Sequence, residues 1–171
     1  MPRQLIVDGV TVPVWSSTDF TQVIEPVEAA YQSRKKNGGL VQRTLYTGKL
    51  RTTIDGGGLA PAGLDDINTG TSTTIHCIEP LSITSPTRVI DIPSNRRADA
   101  GSEPQGFAEV SGALVPTDVT MNVDEATLDA VSGATAYQVR WYPILTVICR
   151  PLRKTLDRGV GHRWTLEAEE V

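Results

Sequence analysis

The chain has 171 residues, 16 of them basic and 20 acidic, and 39% are hydrophobic. This length suits one compact domain, residues 1–171, and the net charge of −4 excludes a dedicated nucleic-acid binder with a basic domain. The absence of any 18-residue apolar run excludes a membrane-spanning helix, and too few apolar residues precede Asp8 to predict a secretory signal. Cys77 and Cys149 are too few for a disulfide framework, and we expect both to be reduced core residues.

The first third of the chain is dominated by strand patterns. An Asp-Gly pair at residues 8–9, between apolar runs, predicts a tight hairpin, because both central residues of a type I′ turn need positive φ. Residues 18–32 are the best helix candidate, but Pro26 interrupts the pattern, so an extended segment fits as well. A basic turn over residues 33–39 separates this segment from an alternating strand over residues 40–54.

The rest of the chain carries more short strands, separated by turns. Residues 55–70 predict a glycine-rich loop, and residues 144–149 are apolar on both faces, as in a central strand. Predicted strands lie at residues 71–79, 87–93, 107–115, 119–123, 126–131, 136–149 and 164–171. The sequence therefore predicts a mainly β protein, an antiparallel β-sandwich or barrel of roughly eight to ten strands, with long projecting loops and little helix.

One long loop stands out at residues 93–106, which hold prolines, glycines and two adjacent arginines. Loops of this length without regular structure are more often functional than idle. We predict a projecting arm whose guanidinium groups pair with carboxylates of a neighbouring subunit, with a solvated loop or a DNA contact as alternatives. The predicted contact residues between subunits are Arg96, Arg97, Asp99, Arg34, Lys35 and Lys36.

Residues with catalytic or metal-binding chemistry are sparse. The soft metal ligands are His76, Cys77, Cys149 and His162, and their spacing does not match a zinc site. The glycine-rich segment lacks the spacing of a phosphate-binding loop, and no nucleophile signature occurs. The sequence therefore predicts no catalytic residue, no metal site and no cofactor, so we do not expect an enzyme.

Charge is distributed unevenly along the chain. Residues 1–54 carry seven basic and four acidic side chains, a net charge of +3, whereas residues 55–171 carry nine and sixteen, a net charge of −7. Opposed charges of this kind can steer association between copies of a protein. An ordinary solvated surface is the alternative explanation.

Several short motifs together carry a family resemblance. They are Asn37-Gly38-Gly39, the run Thr47-Gly48-Lys49-Leu50-Arg51-Thr52-Thr53-Ile54, the glycine-rich Gly58–Leu64, Cys77-Ile78-Glu79-Pro80, Pro93 and Arg96-Arg97-Ala98-Asp99. With these motifs the chain resembles small virion tail proteins of long-tailed bacteriophages, over most of residues 37–150. Some tail-tip proteins hold an iron–sulfur cluster on four cysteines, and the two cysteines here put that cofactor in doubt.

The resemblance implies a β-rich structural subunit that forms a threefold or sixfold ring at or near the distal end of the tail. The implied partners are further copies of the chain and the neighbouring tube, tape-measure and hub proteins. DNA is a partner only while it passes through the lumen. An acidic lining would prevent the DNA from binding there, because like charges repel. The implied location is the virion tail, after synthesis in the cytoplasm of the host bacterium.

A second interpretation is a soluble β-sandwich binding module that recognises a protein or a carbohydrate through its loops. Such a module predicts an aromatic-lined groove. The large aromatic candidates for that groove are Trp15, Trp141 and Trp164.

Overall fold

The protein is nearly all β. A computed structural model describes residues 3–159 and 161–171, without the side chains of residues 28–32 and 42–47, and Met1 and Pro2 lie outside the described residues. Strands hold 58% of the residues and helix 2%, in several antiparallel sheets. This confirms the predicted mainly β class.

Fifteen strands and one short 3₁₀ turn, Val14–Ser16, form the described fold. The strands are β1 (Ile6–Val7), β2 (Val10–Thr11), β3 (Asp19–Arg34), β4 (Leu40–Gly58), β5 (Ser72–His76), β6 (Leu81–Ser85), β7 (Val89–Asp91), β8 (Gln105–Val110), β9 (Ala113–Thr117), β10 (Val119–Asn122), β11 (Glu125–Leu128), β12 (Ala134–Trp141), β13 (Ile144–Cys149), β14 (Arg153–Asp157) and β15 (Gly161–Glu170).

The chain divides into two compact units. We call them the sandwich unit, made of Met1–Leu5 and His76–Ile144, and the large-sheet unit, made of Ile6–Ile75 and Leu145–Val171. The single domain predicted from the chain length stays a prediction.

The large-sheet unit is built on one sheet of eight strands. Its order is β2-β1-β5-β13-β15-β4-β3, and β14 also pairs with β15. Positive φ angles of 52° at Asp8 and 75° at Gly9 confirm the predicted turn between β1 and β2. The buried face of the sheet carries apolar side chains such as Ile54, Val147 and Leu166, each fully buried.

The glycine run at residues 56–58 belongs to strand β4, so the loop predicted for residues 55–70 begins four residues too early. A Cβ atom at Gly56 would lie 2.2 Å from a ring carbon of Trp164, and one at Gly58 would lie 2.1 Å from the carbonyl oxygen of Trp15. These glycines are therefore needed because other parts of the chain pack directly on the strand.

The sandwich unit packs two sheets face to face. A three-stranded sheet has the order β10-β11-β7, and a four-stranded sheet has the order β6-β12-β8-β9. Alternate residues of both sheets face one shared core. That core contains Ile90, Ile92, Ala108, Ala126, Leu128, Tyr137, Val139 and Trp141.

Several local predictions were wrong in type or in extent. The helix candidate at residues 18–32 is strand β3, so its extended alternative is confirmed, and Pro26 lies opposite Leu50 of β4. The segment 107–115 is two strands, β8 and β9, joined at Ser111 and Gly112, whose φ angles are 52° and 81°. Strands β6 and β14 were missed.

Candidate functional site

The most distinctive element is a long hairpin formed by β3 and β4. The two strands pair from Asp19↔Gly57 to Arg34↔Leu40, whereas β15 follows β4 only as far as Arg51↔Glu169. Beyond that point no other described strand pairs with either of them. The free part, residues 26–34 and 40–50, is here called the ribbon. The eight residue steps from 26 to 34 make it about 26 Å long.

Charged side chains brace the base of the ribbon. Arg51 lies 3.5 Å from a carboxylate oxygen of Glu25 on β3 and 3.1 Å from one of Glu169 on β15. Both contacts raise the pKa of Arg51, and the contact with Glu169 contributes more than the contact with Glu25. The Glu170 carboxylate accepts a hydrogen bond from the Leu50 backbone N–H at 3.0 Å. The last paired residues of the sheet therefore hold the ribbon at its base.

The ribbon bends just past its base. The pairing shifts register between Val27 and Ala29 and again between Ala29 and Ala30, so β4 carries two more residues than β3 over this stretch. Gly48, on the bulged strand, has a φ of +77°. Bulges of this kind bend a strand and increase its twist, so the direction of the ribbon is set here.

The tip of the ribbon, defined as residues 33–40, is a compact turn that displays three cations. The Lys35 N–H donates to the Gly39 carbonyl at 2.9 Å, and the Gly38 N–H donates back to the Lys35 carbonyl at 2.9 Å. All eight residues of the tip are exposed, and Arg34, Lys35 and Lys36 form no salt bridge with the described residues. The sequence motif at this turn therefore presents an unneutralised charge of +3.

Arg97 is the centre of a hydrogen-bonded cluster in the irregular segment between β7 and β8. Its side chain is buried, and Nη1 donates to the backbone carbonyls of Gln4 and Cys77 at 2.9 and 3.1 Å. Nε and Nη2 both donate to the Asp99 carboxylate, each at 2.8 Å. This paired geometry is the strongest form of an arginine–carboxylate contact.

The cluster shifts the protonation of two neighbours. Hydrogen bonding from Arg97 lowers the pKa of Asp99 to about 2. Burial, and after it the positive charge of Arg97, lowers the pKa of His76 below its usual 6.5. Both shifts favour an ionised Asp99 beside a neutral His76 near pH 7.

Arg96 fastens the same segment to the three-stranded sheet. Its guanidinium donates to the Asp124 carboxylate at 2.9 Å and to the Pro93 carbonyl at 2.6 Å. It also donates to the Val123 carbonyl. Residues 93–106 are therefore largely exposed but tied down at both arginines.

The six predicted contact residues fall into two separate groups. Arg34, Lys35 and Lys36 lie together at the tip in the large-sheet unit, while Arg96, Arg97 and Asp99 lie in the sandwich unit. The burial of Arg97 and its contacts within the chain do not suit a contact with a neighbour, whereas the exposed tip suits one well. The contact role itself stays a prediction.

The tryptophans and cysteines also have clear positions. Trp141 and Trp164 are buried, and the Trp164 indole N–H donates to the Ser16 carbonyl at 2.8 Å, which leaves Trp15 as the exposed tryptophan. Cys77 and Cys149 are both buried, as predicted for core residues, and burial raises the pKa of Cys149 to about 11. Among residues 3–159 and 161–171, no group of three or more His, Cys, Asp or Glu is arranged to hold a metal ion.

Sequence reasoning missed the brace at the base of the ribbon. Glu25, Arg51 and Glu169 lie far apart along the chain, so no local pattern links them. Only the pairing of three strands places them side by side. The tip, in contrast, was visible as a run of basic residues beside an Asn-Gly turn.

Comparisons with known proteins add no relative: no family model, no curated protein and no solved structure matches this chain. Within the part of the chain that the structure describes, no helix has the length and apolar character to cross a membrane.

Proposed function

We propose that this protein is a structural component of a bacteriophage tail, which forms a ring at or near the distal end of the tail through β contacts between subunits. The observation that carries the proposal is the β3–β4 ribbon, which extends about 26 Å past the sheet and ends in an exposed basic tip. The resemblance to small tail proteins supplies the viral context.

The ribbon has the properties of an assembly element. An isolated two-stranded ribbon is only marginally stable in water, so it gains stability when another surface covers it. Its outer edges also carry backbone N–H and C=O groups that no other described strand satisfies. Such edges accept a further strand from another chain, which makes an exposed edge either a hazard or a designed contact.

In this role the protein contacts copies of itself and the adjoining tube, tape-measure and hub proteins. DNA passes through the lumen without specific binding. The protein resides in the virion tail after synthesis in the host bacterial cytoplasm.

The first experiment is quantitative peptide mass spectrometry of purified particles from the source lysate. A small, fixed number of copies per particle is expected for one ring. Hundreds of copies would replace the distal ring with a tube or capsid-decorating role. Absence from particles would overturn the proposal and favour the binding module or an assembly chaperone.

A shortened hairpin tests the β contacts directly. Replacing residues 30–45 by Asn-Gly joins the paired residues Ala29 and Tyr46 with a turn that suits a two-residue hairpin. We expect a folded protein that no longer enters particles. The control replaces Ser111-Gly112 by Asn-Gly. Both residues of this turn have positive φ angles, as an Asn-Gly turn requires. Normal incorporation of the shortened variant would contradict the proposed contacts.

A further inference from the structure

We infer that the basic tip of one copy docks on the outer face of the three-stranded sheet of a second copy. The inference rests on the proposed function, because it names the surface through which copies of this chain meet. It combines two exposed surfaces of opposite charge, neither of which forms a salt bridge with the described residues of its own chain.

The outer face of the three-stranded sheet is acidic. Ile90, Ala126 and Leu128 point inward to the core of the sandwich unit, so the residues that alternate with them point outward. The outward side chains of the three strands and of the residues next to them include four exposed carboxylates, and strands β7, β10 and β11 themselves contain no basic residue. Arg88, just before β7, donates to the Leu128 carbonyl at 3.4 Å and forms no salt bridge with these carboxylates. These carboxylates, here called the acidic face, are Asp91, Asp118, Glu125 and Asp129.

Carboxylates on the acidic face lie opposite one another. Glu125 pairs with Asp91 across β11 and β7. The Asp129 N–H donates to the Asp118 carbonyl at 3.0 Å. This places the two residues side by side, just before β10 begins and just after β11 ends. Like charges directly opposite each other destabilise a sheet, so a cation that binds here relieves repulsion as well as adding attraction.

Among the described residues, no cation of the same chain pairs with the acidic face. None of the four carboxylates forms a salt bridge with the described residues, whereas the adjacent Asp124 is paired with Arg96. The three cations of the tip likewise form no salt bridge with the described residues. Each surface therefore lacks the charge that the other supplies.

The dimensions of the two surfaces match. The three strands span about 10 Å at their usual spacing, and the four residue steps from Glu125 to Asp129 cover about 13 Å along the strand. A two-stranded tip is about 5 Å wide between its strands, and its lysines reach outward on long flexible stems. One tip can therefore contact both pairs of carboxylates.

The proposed contact joins two different surfaces of the chain. Such head-to-tail contacts close into rings when the rotation between copies permits. The contact also explains the opposed charges of the two parts of the sequence, +3 over residues 1–54 and −7 over residues 55–171. Complementary charges of this kind orient partners during encounter and suppress incorrect pairings.

Zero-length cross-linking tests the contact. A carbodiimide joins a lysine amine to a carboxylate only where they touch, and an equal mixture of ¹⁴N- and ¹⁵N-labelled protein identifies links between copies by mass. We expect mixed-isotope links from Lys35 or Lys36 to residues of the acidic face. Their absence from the concentrated protein, or mixed-isotope links from the tip only to other carboxylates, would overturn the inference.

Charge reversal provides a second test. The tip variant carries Lys35→Glu and Lys36→Glu, and the face variant carries Glu125→Lys and Asp129→Lys. We expect each variant alone to self-associate at least about tenfold more weakly than the wild type in sedimentation velocity. An equimolar mixture of the two should recover association, because the intact basic tip of the face variant can then dock on the intact acidic face of the tip variant.

Controls separate charge at the contact from charge in general. Arg153→Glu with Arg158→Glu changes the net charge as much as the tip variant does, at exposed positions outside both surfaces. This variant should associate like the wild type. No recovery in the mixture, with each variant folded by circular dichroism, would exclude the docking surface.

The inference and the proposed function can fail separately. If the protein occurs in particles at a fixed copy number but the charge-reversed variants are incorporated normally, the docking surface is wrong and the tail role remains. If the protein is absent from particles while the mixture recovers association, the contact is real and the tail role is wrong.

Discussion

Arg97 shows how one buried cation organises an irregular segment. Its donors reach carbonyls of Gln4 and Cys77 and both oxygens of Asp99. A buried charge is costly unless it is fully hydrogen-bonded, and here every side of the guanidinium plane has an acceptor. The segment between β7 and β8 is thus held by contacts to distant parts of the sandwich unit rather than by secondary structure.

Arg97→Ala is expected to destabilise the sandwich unit by about 3 kcal/mol, because buried carbonyl acceptors lose a charged donor and a cavity remains. Chemical denaturation followed by fluorescence measures the change. Arg158→Ala, at an exposed turn, is the control and should change stability by less than about 0.5 kcal/mol. An equal effect of both variants would contradict the structural role of Arg97.

The same cluster predicts a loss of stability in acid. Asp99 has a pKa of about 2 in the folded protein against 3.8 ordinarily, so its contribution is present above pH 3.8 and is lost as the pH falls towards 2. The lowered pKa of His76 acts in the same direction below pH 6.5. We expect the unfolding temperature to fall over this range, and Asp99→Asn should start lower at pH 7 and vary less below pH 4. An identical pH profile for the variant would disprove the assignment.

At the scale of the strand, the apolar composition of β13 does not by itself predict which of its side chains are buried. All but one of its residues are apolar, which predicts a strand buried on both faces, yet its burial alternates and Ile148 is 45% exposed. The strand lies between β5 and β15 inside the sheet, but only one face of the sheet is covered here. Position within a sheet and burial of both faces are separate properties.

Two neighbouring substitutions on β13 test this alternation. Val147→Asp places an unpaired carboxylate in the core and is expected to cost at least about 4 kcal/mol, enough to unfold the large-sheet unit. Ile148→Asp, one residue further on, faces outward and should cost no more than about 1 kcal/mol. Circular dichroism and thermal unfolding of both variants measure the difference. Equal losses would show that both faces are buried.

The ribbon links the scale of the strand to that of assembly. Within the sheet, β4 has partners on both sides, but past Arg51 its one partner among the described strands is β3. The brace formed by Glu25, Arg51 and Glu169 lies at this transition. The sheet therefore stabilises β3 and β4 only up to this point. The ribbon beyond it keeps two edges that no other described strand pairs with, and a neighbouring chain can contact them.

For the whole molecule, association through opposite charges predicts sensitivity to salt. The Debye length falls from about 14 Å at 0.05 M to about 4 Å at 0.5 M ionic strength, so exposed pairs are strongly screened. We expect self-association to weaken over this range in sedimentation velocity while the unfolding temperature stays nearly constant. Association that strengthens with salt would indicate an apolar contact and contradict docking between the tip and the acidic face.

Local sequence determined the class of this protein and some of its turns. Alternating apolar residues specify strands because side chains alternate across a sheet, and the Asp-Gly pair at residues 8–9 specifies its turn through backbone sterics alone. The basic turn at residues 33–39 could also be predicted, because its Asn-Gly pair and its basic residues are neighbours in the sequence. These features depend on residues within a few positions of one another.

The tertiary structure decided how these elements are used. Gly56 is a strand residue because it pairs with Trp164 and Phe20, and the Trp164 ring that packs on it leaves no room for a side chain. The Trp164 indole N–H in turn donates to the Ser16 carbonyl, 148 residues away. Arg97 is buried because carbonyls from two distant segments, at Gln4 and at His76 and Cys77, accept its hydrogen bonds. The ribbon exists because β15 stops pairing at Arg51 while β3 and β4 continue. Each outcome depends on partners far away in the chain, which no local pattern records.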